Sequence, residues 1–207
     1  MEDIEQNVSE NSEESKVDVG LKRRKTVLSY LHDLVFGLVA VLLVFMLVFR
    51  VIIVSGPSMM QTLQNGDCLV LLSSTFCGEP KYGDIIVASK ESYKDGEPII
   101  KRVIATEGQE VDIDFIAGTV TVDGVVLDEP YINTSTNLFE GVSFPLVVDE
   151  GCVFVMGDNR NESKDSRSIE IGLIDRREIL GKALLLALPA ADAITGKRDF
   201  GRIGVLW

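Results

Sequence analysis

The chain has 207 residues, 46% apolar and 25% charged, with 20 basic against 32 acidic residues and a net charge of −12. That balance excludes the basic footprint of a nucleic-acid binder, and the length suits one membrane anchor plus one domain of ordinary size. The single histidine, His32, flanks a long apolar run, which excludes a Ser-His-Asp triad in the rest of the chain.

Residues 1–19 hold seven acids and one lysine, so −6 of the charge is local. Residues 1–20 carry too few large apolar side chains to offset chain entropy, which predicts a disordered tail. Lys22, Arg23, Arg24 and Lys25 follow as a basic cluster. Leu34–Phe49 is then free of charge, Arg50 interrupts, and Val51–Val54 continues the run. As a helix, Leu34–Val54 would be about 31 Å long against a hydrocarbon core of about 30 Å. Arg50 would sit one turn from its far end and snorkel. The basic cluster predicts a cytoplasmic N-terminus and an exported C-terminal domain in the plasma membrane. A cleavable signal peptide has a shorter apolar core, about 7–15 residues, so the run reads as a retained single-pass anchor. The expected organisation is a tail and basic flank over 1–25, a transmembrane helix over 26–55 and an extracytoplasmic domain over 56–207.

From Asp67 onward the pattern changes. Cys68–Leu72, Asp84–Ser89, Ile99–Ala105, Glu110–Phe115, Thr119–Val122, Val125–Asp128 and Cys152–Met156 are short runs rich in Val and Ile with partial alternation, which predicts strands. Asp123-Gly124 between TVTV and VVLD is a hairpin signal. Ala183–Leu188 is one more apolar run, closed by Pro189, and Ile174–Leu180 reads as a short helix or turn. Residues 190–207 are weakly patterned and read as peripheral. The expected fold is mainly β, an antiparallel barrel or folded sheet preceded by one transmembrane helix.

Chemistry concentrates in three places. Ser58 stands just past the apolar run, in the context Gly-Pro-Ser-Met-Met. A serine hydroxyl is a poor nucleophile until a base takes its proton, and without histidine that base is a lysine or a carboxylate. Lys101 lies inside the apolar stretch Pro98-Ile-Ile-Lys-Arg-Val-Ile-Ala105. Burial there disfavours its charged form and lowers its pKa, and a lysine brought to about 7–8 serves as a general base near neutrality. Adjacent Arg102 points to the other face of a strand and could not replace it, because its pKa stays above about 12. The third place is Gly157–Arg167, dense in short polar residues. It lacks the spacing of a calcium loop. Asp158, Asp165 and Arg167 can instead fix the loop by charge-assisted hydrogen bonds, and Ser163 or Ser166 could hold a lysine amine. Cys68, Cys77 and Cys152 lack metal-ligand spacing; Cys68 and Cys77 could pair, but all three read better as small buried side chains. No metal or other cofactor is expected.

Three segments in this order, SGPSMMQTL, IIKRVIATEG and GDNRNESKDSRSIEIG, resemble the bacterial type I signal peptidase family, with Tyr82-Gly-Asp-Ile-Ile-Val87 as a fourth match. The likeness runs over roughly residues 25–188. It implies a Ser/Lys-dyad endopeptidase on a mostly antiparallel β domain, cleaving signal peptides from exported preproteins with small side chains at the first and third positions before the cut. By motif position Ser58 is then the nucleophile, Lys101 the general base, Ser163 the residue that orients the lysine amine, and Asp165 and Arg167 an ion pair that supports the site. Preproteins and the lipid bilayer are the implied partners, with the protein export machinery a further one and nucleic acid none. Gln61 replaces the proline usual in the family pattern. Gly56 stands where some members carry an oxyanion-donating serine, leaving the Ser58 backbone N–H for that task. Glycine there, a single span and the short stretch between the Lys and late segments resemble the Gram-positive type.

Three other readings compete. LexA-like self-cleaving repressors share Ser/Lys chemistry, but are soluble and carry a DNA-binding module. A variant devoted to pilin assembly or a restricted substrate set would keep the dyad. A membrane-anchored β scaffold would be expected to lose it.

Overall fold

The computed structural model describes residues 28–192 and 194–206. The expected acidic tail and basic flank lie outside the described residues. The chain divides into two units, one ending at Leu47 and one beginning at Val48.

The first unit holds all but the last residue of helix α1, Leu28–Val48, which is 21 residues long and apolar enough to cross a membrane. The helix ends earlier than expected. Phe49–Ile53, read above as the last turns of the span, is strand β1, paired antiparallel with Cys68–Ser73, strand β2, in the register Phe49↔Leu72 to Ile53↔Cys68. Arg50 therefore sits opposite Leu71 on a strand, not within a terminal helical turn. A short apolar run satisfies helix and strand patterns alike; here a partner strand supplies the ladder, and β-branched Val51, Ile52 and Ile53 suit it.

The second unit holds the remaining strands: β3 (Ile85–Ala88), β4 (Ile99–Thr106), β5 (Glu110–Asp114), β6 (Thr119–Val122), β7 (Val125–Val126), β8 (Leu146–Val147), β9 (Cys152–Met156), β10 (Ile174–Asp175), β11 (Ile179–Leu188) and β12 (Gly204–Val205). The larger sheet runs β1-β2-β11-β3-β4-β9-β10, with β12 on β11, and the smaller runs β7-β6-β5-β8. All the pairings are antiparallel. The fold is thus mainly β. The turn at Asp123-Gly124 has positive φ at both residues, the conformation a two-residue hairpin loop of this kind requires.

Apolar side chains gather in three clusters. One, around Leu69, Leu71, Ile85, Val87, Ile100, Ala183 and Leu186, also takes in Val54, Met59 and Leu63 from the segment around Ser58. A second joins the smaller sheet to β4 and β9 through Ile104, Val111, Val120 and Phe154. A third gathers Ile86, Val103, Val155 and Ile174. Together they bury β4 along most of its length, so polar side chains on that strand must find partners inside the protein.

Residues 190–207 are not wholly peripheral. Gly204–Val205 pairs with β11. Arg202 donates to both oxygens of buried Asp67, at 3.0 and 2.7 Å, and Asp67 also accepts from the Ala190 and Gln64 N–H groups. This ties the loop after Ser58 to the C-terminal segment. Ile174–Leu180, expected as a short helix or turn, is a short strand, Ile174–Asp175, then a single 3₁₀ turn, Arg176–Glu178, capped by the Asp175 side chain, and then the start of β11. The three cysteines are free and partly buried.

Candidate active site

The chain leaves β1 and turns sharply before Ser58. Gly56 adopts φ +90° there, a region that favours glycine. Its N–H donates to Asn65 Oδ1 at 3.0 Å. A serine at this position would meet no steric obstacle at Cβ, yet its backbone would be strained. Glycine at this position therefore fits the local backbone of this chain. Beyond Ser58, Met59 and Leu63 are fully buried and pin the segment to the core. The Met60–Gln61 peptide bond is cis.

Lys101 comes to Ser58 from β4. Its Nζ lies 2.8 Å from Ser58 Oγ and donates to the Ile100 carbonyl at 3.0 Å. Lys101 is only 4% exposed. Burial pushes its amine down to about 8; Asp165 and Asp158 pull it up, while Arg167 pushes it further down. The buried-lysine expectation therefore holds in position and in direction. The Ser58 N–H donates to no protein acceptor among the described residues, so it is available to an incoming oxygen. The pair opens on a cleft of about 280 Å³ whose walls include Ile53, Gly56, Pro98 and Ile99, with Lys94 and Glu162 beside them.

Beside the Ser58–Lys101 pair the late polar segment is largely buried and closely bonded. Arg102 grips Asp158 through Nε at 2.8 Å and Nη2 at 2.6 Å, and Thr62 Oγ1 donates to the same carboxylate at 2.5 Å. Arg102 also stacks on Tyr131, 4.1 Å from the ring centre. Arg167 grips Asp165 at 2.8 Å through both Nε and Nη2, and Asp165 accepts from the Gly157 N–H at 3.0 Å. Arg160 pairs with Glu129 at 2.7 and 2.5 Å and with Thr136 Oγ1 at 2.8 Å. In the segment that follows β9, Asp158 and Asp165 are thus each held by a buried arginine, Arg102 and Arg167 respectively. Asp158→Ala would leave a buried guanidinium without its bidentate carboxylate and is expected to cost about 3–5 kcal/mol, measured as a lower urea midpoint of the detergent-solubilised protein.

Ser163 departs from expectation. It is buried next to Gly157, but its Oγ has no hydrogen-bond partner. The Lys101 amine meets Ser58 Oγ and the Ile100 carbonyl instead. Ser166, the other candidate, accepts from the Val155 N–H at 2.9 Å. Three features went unread in the sequence: the Arg102–Asp158 grip, the Arg160–Glu129 pair and the contacts of Asn159 described below. The first was within reach, since an arginine next to Lys101 in an apolar strand carries the same burial signal. Among the described residues no group of His, Cys, Asp or Glu is placed to hold a metal ion.

Residues 27–188 match the family described as signal peptidase, peptidase S26. The chain is 32% identical over 176 residues to signal peptidase I T of Bacillus subtilis, covering 81% of this chain and 89% of that protein. It is 38% identical over 146 residues to a protein described as probable signal peptidase I-1 of Synechocystis, covering 67% and 70%. A crystal structure of a signal peptidase I from Enterococcus faecalis matches at 31% identity and a TM-score of 0.41, over 50% of this chain and 96% of that one. With the match running from α1 to the end of β11, the chain belongs to the signal peptidase, peptidase S26 family.

Proposed function

We propose that Ser58 is the nucleophile and Lys101 the general base of a membrane-anchored serine endopeptidase that cleaves signal peptides from preproteins. The observation that carries this assignment is the 2.8 Å contact between Ser58 Oγ and a lysine amine whose burial holds it near 8. Neutral Lys101 takes the Ser58 proton as Oγ attacks the scissile carbonyl. The Ser58 N–H receives the oxyanion. Lys101 returns its proton to the leaving amine, and a water then repeats the sequence on the acyl-enzyme. Asp158, Asp165 and Arg167 hold the frame on which both groups stand.

The substrate enters extended. β1 is the end strand of the larger sheet, and a cleavage-site segment laid along the cleft can add its backbone hydrogen bonds there. Gly56 and Pro98 leave little relief in the cleft wall, which suits small side chains at the first and third positions before the cut. Helix α1 anchors the enzyme, with the N-terminus cytoplasmic by the positive cluster at Lys22–Lys25 and the β domain outside; the export machinery is then a neighbour in the same membrane.

The test is incubation of the full chain, in detergent, with a preprotein carrying alanine at those two positions, followed by mass spectrometry. A single cut directly after the second alanine is the expected product. An uncut preprotein, or cuts scattered through the mature part, would overturn the reading.

A further inference from the structure

We propose that Asn159 is a positioning residue that aims the oxyanion donor of Ser58. The inference rests on the reading of Ser58 as the nucleophile and adds to it how its backbone N–H is directed.

Asn159 is 5% exposed and makes two bonds to the nucleophile segment. Its Nδ2 donates to the Pro57 carbonyl at 3.1 Å, and its backbone N–H donates to the Ser58 carbonyl at 3.0 Å. The first bond matters because the Pro57 carbonyl and the Ser58 N–H belong to one rigid peptide plane, pointing in opposite directions. Drawing the carbonyl toward Asn159 turns the N–H away from Asn159. The second bond fixes the next plane, so the segment cannot rotate about Ser58 to compensate. Pro57 O also accepts from the Met60 N–H at 3.0 Å, which closes the turn locally but does not tie it to the rest of the domain. Asn159 supplies that tie.

The amide of Asn159 is itself held. Asn133 Nδ2 donates to its Oδ1 at 3.0 Å, and Glu162 Oε2 accepts from its Nδ2 at 3.3 Å. With Oδ1 committed to Asn133, the donor face of the amide is left for Pro57. Asn133 lies on the connection between β7 and β8, so the chain of contacts reaches the nucleophile from the smaller sheet.

The experiment compares wild type, Ser58→Ala, Asn159→Ala and Asn133→Ala as full-length protein in detergent. The substrate is a synthetic peptide with alanine at the first and third positions before the cut, and rates are taken per active site titrated by the acylation burst. For Asn159→Ala, kcat is expected to fall about tenfold with KM within about twofold, less than the loss of an oxyanion donor outright. Its pH profile is expected to keep its inflection near 8, the value to which burial brings Lys101. A purely structural role would lower the melting temperature and the fraction of active sites, leaving kcat per site unchanged, and would overturn the inference. So would a shifted inflection, which would mean that Asn159 acts through Lys101. Should Asn159→Ala not fold, Asn133→Ala carries the test, with a fall of about threefold in kcat expected and an unchanged kcat overturning. Cleavage by Ser58→Ala would remove the nucleophile assignment itself. An inactive Ser58→Ala beside an Asn159→Ala of wild-type kcat would remove only this inference.

Discussion

Ser58→Ala and Lys101→Ala are each expected to lower preprotein cleavage at least about a thousandfold, because a nucleophile and its base act as one unit and neither retains the mechanism alone. Lys101→Arg is expected to be as inactive as the alanine variant: a guanidinium keeps its proton at any working pH. In the wild-type enzyme the rate should rise with pH and reach half its plateau near 8, where burial places the Lys101 amine. Below that pH the amine is protonated and cannot accept from Ser58. A rate flat down to pH 5, roughly three units below that point, would contradict a lysine base. The same burial has a consequence for stability. Bringing the amine from 10.5 to about 8 corresponds to about 3 kcal/mol of penalty on the charged form. Between these two values the unfolded chain binds more protons than the folded one, so stability rises as pH climbs from about 8 toward 10.5 and the full penalty is present below about 8. Lys101→Met, which removes the charge and keeps most of the volume, is therefore expected to be inactive yet more stable at pH 7, by up to about 3 kcal/mol. Urea unfolding at pH 7 and pH 10 measures both halves. A Lys101→Met variant less stable than wild type at pH 7 would mean that the bonds of the amine to Ser58 and Ile100 outweigh its desolvation.

How much of this was visible in the sequence depended on the range over which each residue acts. Ser58 and Lys101, which the structure brings together, stood out because each carries a local anomaly: a serine at the end of an apolar run, and a lysine among Ile and Val. The strands from Cys68 to Met156 were visible because their alternation and the Asp123-Gly124 turn are local too. β1 was misassigned because Val51–Ile53 has no feature that separates a helix end from a strand; the partner that decides it, β2, begins fifteen residues later at Cys68. The C-terminal segment was undervalued for the same reason, since Arg202 finds its carboxylate on Asp67, far away in the chain. Asn159 was read only as part of a polar loop. Its value comes from the carbonyls of Pro57 and Ser58, about a hundred residues earlier, a distance that no pattern search spans. Ser163 shows the converse. Motif position implied an amine contact, while the geometry gives the amine two other partners.

Gly157→Ala is the second change expected to have a large effect, and it acts through space, not conformation. A Cβ at Gly157 would lie 2.4 Å from the Ser58 carbonyl oxygen, 2.3 Å from Ser163 Oγ and 2.5 Å from Ser163 Cβ. Something must move: Ser163 Oγ has no hydrogen-bond partner and can turn aside, but the backbone atoms on either side of the contact are held. The Ser58 carbonyl accepts from the Asn159 N–H. The Gly157 backbone is bonded on both sides, its N–H to Asp165 and its carbonyl to Arg160 Nε at 3.2 Å. Asp165 and Arg160 are themselves locked in buried ion pairs. Of the two backbones that meet here, that of Gly157 is tied to two buried ion pairs while the Ser58 carbonyl accepts from the Asn159 N–H, so the strain falls on the Ser58 segment and its displacement carries Oγ away from Lys101. A misplacement of about 1 Å at a reacting centre costs on the order of a hundredfold, and overpacking of this kind costs about 1–3 kcal/mol of stability. Gly157→Ala is therefore expected to fold with a modestly lower melting temperature and to lose about a hundredfold in kcat. The double change Gly157→Ala with Ser163→Gly separates the causes. It removes both Ser163 contacts and leaves the one to Ser58 O, so stability should partly return while activity does not. Recovery of full activity in the double variant would place the obstruction at Ser163, and the close approach of Gly157 to the Ser58 carbonyl would then not be what holds the nucleophile in place.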